Sequence, residues 1–159
     1  MTTLTVDVQV ASDDPDIPPK PEIQNWVEAA AQQSGQLTRS DVEIAVRIVD
    51  ADEIRTLNNL YREQDKATNV LSFPAGQIDG LPDDEGHLLG DIVICASVVA
   101  AEAADQGKEP NDHWGHMLVH GTLHLLGFDH ETDAEAAQME GLEGEILASR
   151  NVTGPYEGS

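Results

Sequence analysis

The stretch HGTLHLLGFDH, from His120 to His130, is the clearest indication of the chemistry expected of this chain. His120 and His124 are four residues apart, and on an α-helix that spacing places two side chains on one face, about 6 Å apart along the axis. Gly127 follows, where a helix can end in a left-handed conformation that glycine adopts without steric cost. The resulting turn would return His130 to the other two imidazoles. The pattern predicts that all three histidines bind one divalent metal ion.

We predict zinc as the metal, with one ion per chain. Three neutral imidazoles leave the fourth tetrahedral position of zinc open to water or substrate, an arrangement typical of catalytic sites. Imidazole also binds nickel, copper and iron, so the same pattern suits other divalent metals. His113 and His116 precede His120 on the same predicted helix. Since His116 lies about 12 Å along the axis from His124, we expect it to pack or to support a ligand.

Hydrophobic periodicity outside this stretch predicts an α/β fold. Apolar and polar residues alternate over residues 4–10 and 42–48, which is typical of half-buried strands, and segments 69–73 and 91–97 indicate two further strands. Amphipathic helices are predicted between strands and after residue 97. The order strand, helix, strand, helix, strand, strand, helix, helix, helix predicts a layer with a largely parallel sheet and a helical second half.

Capping residues and breakers set the predicted helix boundaries. Asp50, Asn111 and Thr132 each precede a helical pattern, and the first and last of these have a glutamate three residues later, in capping-box spacing. The inner face of the final helix is predicted from its apolar residues, Met139, Leu142 and Ile146. Residues 74–89 show no clear period and are predicted to be a loop long enough to have a functional role.

Length and composition limit the class of protein. At 159 residues the chain is most simply one domain spanning residues 1–159, with a disordered tail at 151–159. Its single cysteine, Cys95, excludes an intrachain disulfide, and no charged-then-apolar leader precedes the first strand. No apolar run approaches the roughly 20 residues that cross a bilayer. We therefore expect a cytoplasmic protein without a membrane partner.

The charge of the chain constrains its partners. A formal net charge of −22, from 30 acidic and 8 basic residues, argues against broad contact with nucleic acid or anionic membranes. Five of the eight basic residues nevertheless lie between Arg39 and Lys66. That clustering allows one local basic surface, although ordinary solvated side chains would give the same composition.

The histidine spacing H-x-x-x-H-x-x-G-x-x-H is also that of the metzincin zinc peptidases. Those enzymes use the glutamate directly after the first histidine as general base, and this chain has Gly121 there. Without that carboxylate a peptidase would lack the group that activates its metal-bound water. A metallopeptidase-like hydrolase is therefore an alternative hypothesis and not the leading one.

The same eleven residues resemble the signature of the YbeY family of bacterial metal-dependent endoribonucleases. The likeness extends to LGDI at residues 89–92, to the acidic final helix, and to an upstream motif formed by Asn58, Tyr61, Arg62, Thr68 and VLSFP at residues 70–74. These motifs cover most of residues 50–150 in the family's order. Asn69 departs from the pattern, because the family usually has aspartate there.

The resemblance implies an activity, a fold and partners. The activity would be zinc-dependent cleavage of single-stranded RNA, in maturation of the 3′ end of small-subunit ribosomal RNA and in ribosome quality control. Partners would be ribosomal RNA and the ribosome or its associated proteins. The fold would have about five helices packed on four strands, three parallel and one antiparallel, with a metzincin-like active-site helix. The resemblance also assigns the three-histidine zinc site and a catalytic arginine, Arg62.

Basic and polar residues before the histidine stretch are candidates for contacts with the RNA. Arg62 would bind the phosphate as it gains negative charge, since a guanidinium offers paired hydrogen bonds. The alternative interpretation of Arg62 is that it is a surface arginine on a helix, paired with Glu63 or Asp65. The residues predicted to guide RNA or line the cleft are Arg55, Lys66, Asn69 and Ser72.

A third hypothesis is that the metal is structural, in a ribosome-binding module. It predicts a fourth protein ligand on the metal and loss of the fold on chelation.

Overall fold

Four strands and five helices lie within the part of the chain that the computed structural model describes, which is residues 3–15, 17–34, 41–74, 88–128 and 132–148. In chain order they are β1 (Thr3–Ala11), α1 (Lys20–Gln33), β2 (Asp41–Val49), α2 (Ala51–Arg62), β3 (Val70–Pro74), β4 (Leu88–Cys95), α3 (Ala96–Gln106), α4 (Pro110–Leu125) and α5 (Asp133–Ala148). The predicted order of elements is confirmed. The predicted tail at 151–159 and most of the predicted loop, residues 75–87, lie outside the described residues.

The strands form one mixed sheet in the order β1-β2-β4-β3. β1, β2 and β4 are parallel, and β3 pairs with β4 in the antiparallel sense. The implied fold of three parallel strands and one antiparallel strand is therefore confirmed. β3 is an edge strand and ends at Pro74, which has no backbone N–H to continue the ladder.

Each face of the sheet is covered by helices. Alternate residues of β2 and β4, such as Ile44 and Ile92, face a core that includes Trp26 of α1 and Leu118 of α4. The opposite face packs Phe73, Val93 and Cys95 against Ile54 of α2. The alternation follows from the two-residue period of a strand. Cys95 is buried, as expected of a small apolar side chain.

Helix α4 runs through the centre of the protein, and ten of its sixteen residues are buried. Two glycines allow this close packing. A Cβ at Gly115 would lie 2.5 Å from the ring of Trp26, and one at Gly121 would lie 3.1 Å from side chains of both Val70 and Ile92. Because β3 and β4 are so close to α4, His120 and His124 of this helix lie beside the edge strand β3.

Two predicted helix starts are wrong in detail. Asp50 precedes α2 but makes no side-chain cap, because its carboxylate accepts a hydrogen bond from Ser12 while Glu53 pairs with Arg47. α4 begins at Pro110, before the predicted cap at Asn111, since proline is favoured in the first turn of a helix. The cap at Thr132 is confirmed: its hydroxyl accepts a hydrogen bond from the Glu135 backbone N–H at 3.1 Å.

Strand boundaries differ from the predicted ones by one to three residues. β3 covers residues 70–74 and not 69–73, and β4 covers residues 88–95 and not 91–97, because α3 already begins at residue 96. No helix in the described ranges is both long and apolar enough to cross a membrane.

Candidate metal centre and phosphate-binding cleft

His120 and His124 lie side by side on α4. The centroids of their rings are 4.5 Å apart and the ring planes are inclined by 79°. Both rings line the same cleft. At this separation one zinc ion could be reached by both imidazoles at the usual distance of roughly 2.0–2.1 Å. The pair that the helical spacing predicts is therefore present, and its geometry fits a shared metal ion.

The predicted third ligand, His130, lies outside the described residues. The turn that precedes it is described: α4 ends at Leu125, and Gly127 has φ of +100°, a conformation that favours glycine. The Phe128 backbone N–H closes the turn by donating to the Leu123 carbonyl at 3.0 Å. Among the described residues, which do not include His130, no three His, Cys, Asp or Glu side chains form a complete metal site.

A buried carboxylate lies behind this histidine pair. Glu143 of α5 is only 1% exposed, and its two oxygens contact two histidines of α4. Oε1 lies 2.6 Å from Nδ1 of His120, and Oε2 lies 3.3 Å from Nε2 of His116. Burial by itself would raise the pKa of Glu143, but hydrogen bonds from the two imidazoles, together with their charge, lower it to about 2. The carboxyl group is therefore ionised at neutral pH.

Glu143 is not among the site residues that the sequence predicts. Met139, Leu142 and Ile146 predict the inner face of the final helix, and Glu143 is four residues after the first of them. A position four residues along a helix lies on the same face. A glutamate on a buried apolar stripe is therefore a signal in itself, because a carboxylate is rarely buried without a partner.

Arg62 lies on the opposite wall of the cleft, at the end of α2. Its Nη2 donates to the Ser72 carbonyl at 3.0 Å, its Nη1 donates to the Tyr61 carbonyl at 3.2 Å, and its Cζ lies 5.0 Å from the centroid of the Phe73 ring. Glu63 adopts a left-handed conformation that ends α2 directly after Arg62. The guanidinium is thus held by carbonyl groups and an aromatic face.

The alternative interpretation of Arg62 as an ion-paired surface residue is not supported. Asp65 pairs instead with Arg55, at 2.8 and 3.2 Å, and this pairing holds the pKa of Asp65 below its usual range. Within the described ranges no carboxylate forms an ion pair with Arg62. Its positive charge is therefore available to an anion in the cleft.

One cleft of about 340 Å³ gathers most of the candidate residues. It is lined by Arg62, Asn69, Val70, Leu71, Ser72, Pro74, His120 and His124. The Ser72 hydroxyl donates to the Gly121 carbonyl at 2.7 Å and so ties β3 to α4. Arg55 and Lys66 do not line the cleft. Arg55 borders a separate surface depression on α2, and Lys66 is exposed in the turn that follows α2.

Asn69 is held by a network behind the cleft. Its Nδ2 lies 3.1 and 3.2 Å from the two carboxylate oxygens of Glu102 on α3, and its Oδ1 accepts from the Val70 backbone N–H. His113 of α4 also contacts Glu102, at 2.9 Å from Nε2. Burial lowers the pKa of His113 and outweighs the opposing effect of Glu102. The amide of Asn69 therefore acts as a donor to a carboxylate.

The position of Gly121 bears on the peptidase alternative. A Cβ there would lie 3.1 Å from both Val70 and Ile92, and 3.3 Å from the Ser72 hydroxyl. The residue after the first histidine thus packs against β3 and β4, with too little space for a glutamate side chain unless the strands move. The general base of a metzincin has no counterpart at this position.

Comparisons with known proteins agree in name and in fold. A family model described as "Endoribonuclease YbeY" matches residues 7–151. A protein of that name from Halorhodospira halophila is 53% identical over 135 residues, which is 85% of each chain. Another from Psychromonas ingrahamii is 47% identical over 154 residues, 96% of each chain. The solution structure of TM1509 from Thermotoga maritima shares the fold, with a TM-score of 0.55, 24% identity and 96% coverage of both chains.

Proposed function

The chain belongs to the YbeY family of endoribonucleases, and from that premise we propose that it is a zinc-dependent hydrolase that cleaves single-stranded RNA. Its role would be in ribosomal RNA processing, at the 3′ end of small-subunit RNA, and in ribosome quality control in the cytoplasm. The single observation that carries this proposal is the meeting, in one cleft, of two adjacent imidazoles and an arginine that pairs with no described carboxylate.

Arg62 is the phosphate-binding group in this proposal. The carbonyls of Ser72 and Tyr61 and the ring of Phe73 hold the guanidinium before substrate arrives. A fixed cation stabilises developing charge without the cost of reorienting in the reaction. It can also grip a phosphate through two parallel hydrogen bonds. Arg62 would therefore bind the scissile phosphate and offset the negative charge that grows as water attacks.

His120 and His124 would hold the metal together with His130, whose contribution rests on the sequence pattern. A zinc ion bound there supplies Lewis acidity and lowers the pKa of a bound water towards about 7. The side chain of Ser72 is already bonded to the Gly121 carbonyl, so its part is to keep the arginine wall and the histidine wall together. Asn69, fixed by Glu102, would shape the end of the cleft.

The charge of the protein indicates where RNA would bind. With a net charge of −22, most of the surface repels a phosphate backbone. Binding would then be confined to the cleft around Arg62, with few phosphate contacts and a shallow dependence on salt. The acidic remainder suits contact with basic proteins of the ribosome, which would bring the RNA substrate close.

An RNA-cleavage assay tests the proposal. Single-stranded and duplex RNA are incubated with the protein as purified, after chelation, and after zinc is restored. We expect cleavage of single strands only, lost on chelation and regained with zinc. Arg62→Ala should lower kcat/KM by roughly 100- to 1,000-fold, the usual cost of losing a charge-stabilising donor.

Arg47→Ala is the matched control for that variant. Arg47 is also partly exposed, but it pairs with Glu53 away from the cleft, so its removal should leave cleavage unchanged. Equal losses in both variants, or cleavage that persists without metal, would overturn the proposal. Unfolding on chelation would instead favour a structural metal.

Alanine variants of Arg55 and Lys66 test the predicted role of these residues in guiding RNA. That role requires each variant to have a higher KM at constant kcat.

A further inference from the structure

Glu143 differs in its surroundings from the other carboxylates of this acidic chain. It is 1% exposed and lies on α5, yet both of its oxygens point at α4. Both contacts are to imidazole nitrogens, and no lysine or arginine in the described ranges pairs with it. Burying a carboxylate has a large desolvation cost that hydrogen bonds must offset, and both of the hydrogen bonds described here come from α4 imidazoles. The position of Glu143 against two histidines of α4 points to a role in the site.

The contacts determine which imidazole nitrogens carry hydrogen. An imidazole N–H donates to a carboxylate oxygen, so the ring nitrogens that face Glu143 within hydrogen-bond distance are the ones that carry hydrogen. Nδ1 of His120, at 2.6 Å, therefore carries its proton, and the lone pair of this ring lies on Nε2. Nε2 of His116, at 3.3 Å, donates to the second oxygen in the same way.

We propose that Glu143 is a positioning residue for the metal centre: it fixes His120 in the Nδ1–H form, so that Nε2 presents its lone pair to the metal. The inference rests on the proposed function in so far as that function requires a metal at His120. A carboxylate behind a metal-binding histidine holds the ring orientation and makes the imidazole a stronger ligand. His116 completes the arrangement by engaging the second oxygen, which keeps the carboxylate from rotating away from His120.

The chain contains a matched control in Glu102. This carboxylate also reaches α4 from a neighbouring helix and contacts a histidine nitrogen, Nε2 of His113, at 2.9 Å. His113, however, is 2% exposed and does not line the cleft. Glu102→Gln thus removes a carboxylate that contacts α4 without touching a proposed metal ligand. Because Glu102 also holds Asn69 at the cleft, the two variants are compared by zinc affinity and not by RNA cleavage. Any difference between the two variants reports on the metal centre and not on loss of a carboxylate as such.

The experiment compares the full chain with Glu143→Gln and Glu102→Gln. Zinc affinity is measured by competition with a chromophoric chelator, independently of RNA cleavage. We expect Glu143→Gln to weaken zinc binding by roughly 10- to 100-fold, the usual cost of losing such a partner, and Glu102→Gln to leave it unchanged. Zinc affinity in Glu143→Gln equal to that of the unmodified chain, or an equal loss in both variants, would overturn the inference.

A second measurement needs no variant and no metal. Long-range ¹H–¹⁵N spectra of the zinc-free protein report which nitrogen of His120 is protonated. We expect the Nδ1–H form, and the Nε2–H form would overturn the inference even if Glu143→Gln fails to fold. If the unmodified chain binds no zinc, the proposed metal dependence fails, whereas Nδ1–H at His120 that is lost in Glu143→Gln would still support the positioning role.

Discussion

The two ends of α4 use the same chemical pair for different purposes. At the amino-terminal end Glu102 contacts His113, whose side chain is 2% exposed, and at the carboxy-terminal end Glu143 contacts His120, whose side chain is 24% exposed. In the first pair the His113 ring is covered although Glu102 is 33% exposed, and in the second pair the His120 ring lines the cleft although Glu143 is 1% exposed. A contact between a carboxylate and an imidazole thus supports packing where the ring is covered, and under the proposed function it would support a binding site where the ring lines the cleft.

The largest expected difference between the two ends of α4 follows from replacing one histidine at each end and measuring zinc content and RNA cleavage. His120→Gln is expected to abolish zinc binding and to lower metal-dependent RNA cleavage by roughly 1,000-fold or more, because the activated water depends on the metal. His113→Gln should retain zinc, since its ring lies outside the cleft. Elemental analysis and the cleavage assay decide between them. Retention of stoichiometric zinc by His120→Gln would contradict the difference between the two ends.

The second prediction compares the packing of α4 at its two glycines, Gly115 and Gly121, through the unfolding free energies of their alanine variants. Gly115→Ala places a methyl group 2.5 Å from the ring of Trp26, and overpacking of that kind costs about 1–3 kcal/mol of unfolding free energy. Gly121→Ala meets its neighbours at 3.1 Å, and the gain in helix propensity, about 1 kcal/mol, should offset most of the strain. Chemical denaturation gives both values. A larger loss at Gly121 than at Gly115 would show that β3 and β4 hold α4 more tightly than Trp26 does.

Charge complementarity at the amino-terminal end gives a third prediction. Asn69→Asp would place a second carboxylate about 3 Å from Glu102, where Asn69 now donates, and should cost about 1–2 kcal/mol of unfolding free energy. Adding Glu102→Gln to Asn69→Asp places the amide donor at position 102 and the carboxylate acceptor at position 69, which is the reverse of the present arrangement. The double variant should therefore recover most of the loss, and a double-mutant cycle of denaturation measurements would reveal the coupling. Additive losses would mean that the two side chains do not interact.

The smallest expected effect concerns pH. Burial lowers the pKa of His113 below its ordinary value near 6.5, so the unfolded chain binds a proton more readily than the folded chain. Stability is therefore fully present above the unfolded pKa and falls as pH drops from about 6.5 towards the lower folded pKa. His113→Gln cannot titrate, so the stability difference from the unmodified chain should change within that window. A constant difference between pH 8 and pH 5 would refute this.

Local patterns were sufficient to predict the order of all nine described elements and the pairing of His120 with His124. Each of those features depends on residues close together in sequence, through strand alternation or helical spacing. Arg62 and Ser72 meet the histidines only because α2, β3 and α4 converge, and it was the family motif that pointed to them. The role of His130 as third ligand stays a prediction.

Long-range contacts explain what the sequence did not reveal. Glu143 faces His120 across two helices, 23 residues away in the chain, and only the packing of α5 on α4 brings them together. The predicted capping role of Asp50 was wrong for a similar reason, since Ser12, 38 residues earlier, binds its carboxylate. A charged or polar side chain can form hydrogen bonds with several alternative groups, and tertiary packing determines which of these groups is within reach.

The order of the helices along the chain has a consequence for synthesis. Chains are made from the amino end, and α4 therefore leaves the ribosome before α5. A nascent protein that ends before α5 contains every histidine of α4 but does not yet contain Glu143, which contacts Nδ1 of His120 in the folded protein. Until α5 docks, the contact between Glu143 and His120 is absent. The proposed hold of Glu143 on His120 would therefore be established only after synthesis of α5 is complete and that helix has docked on α4.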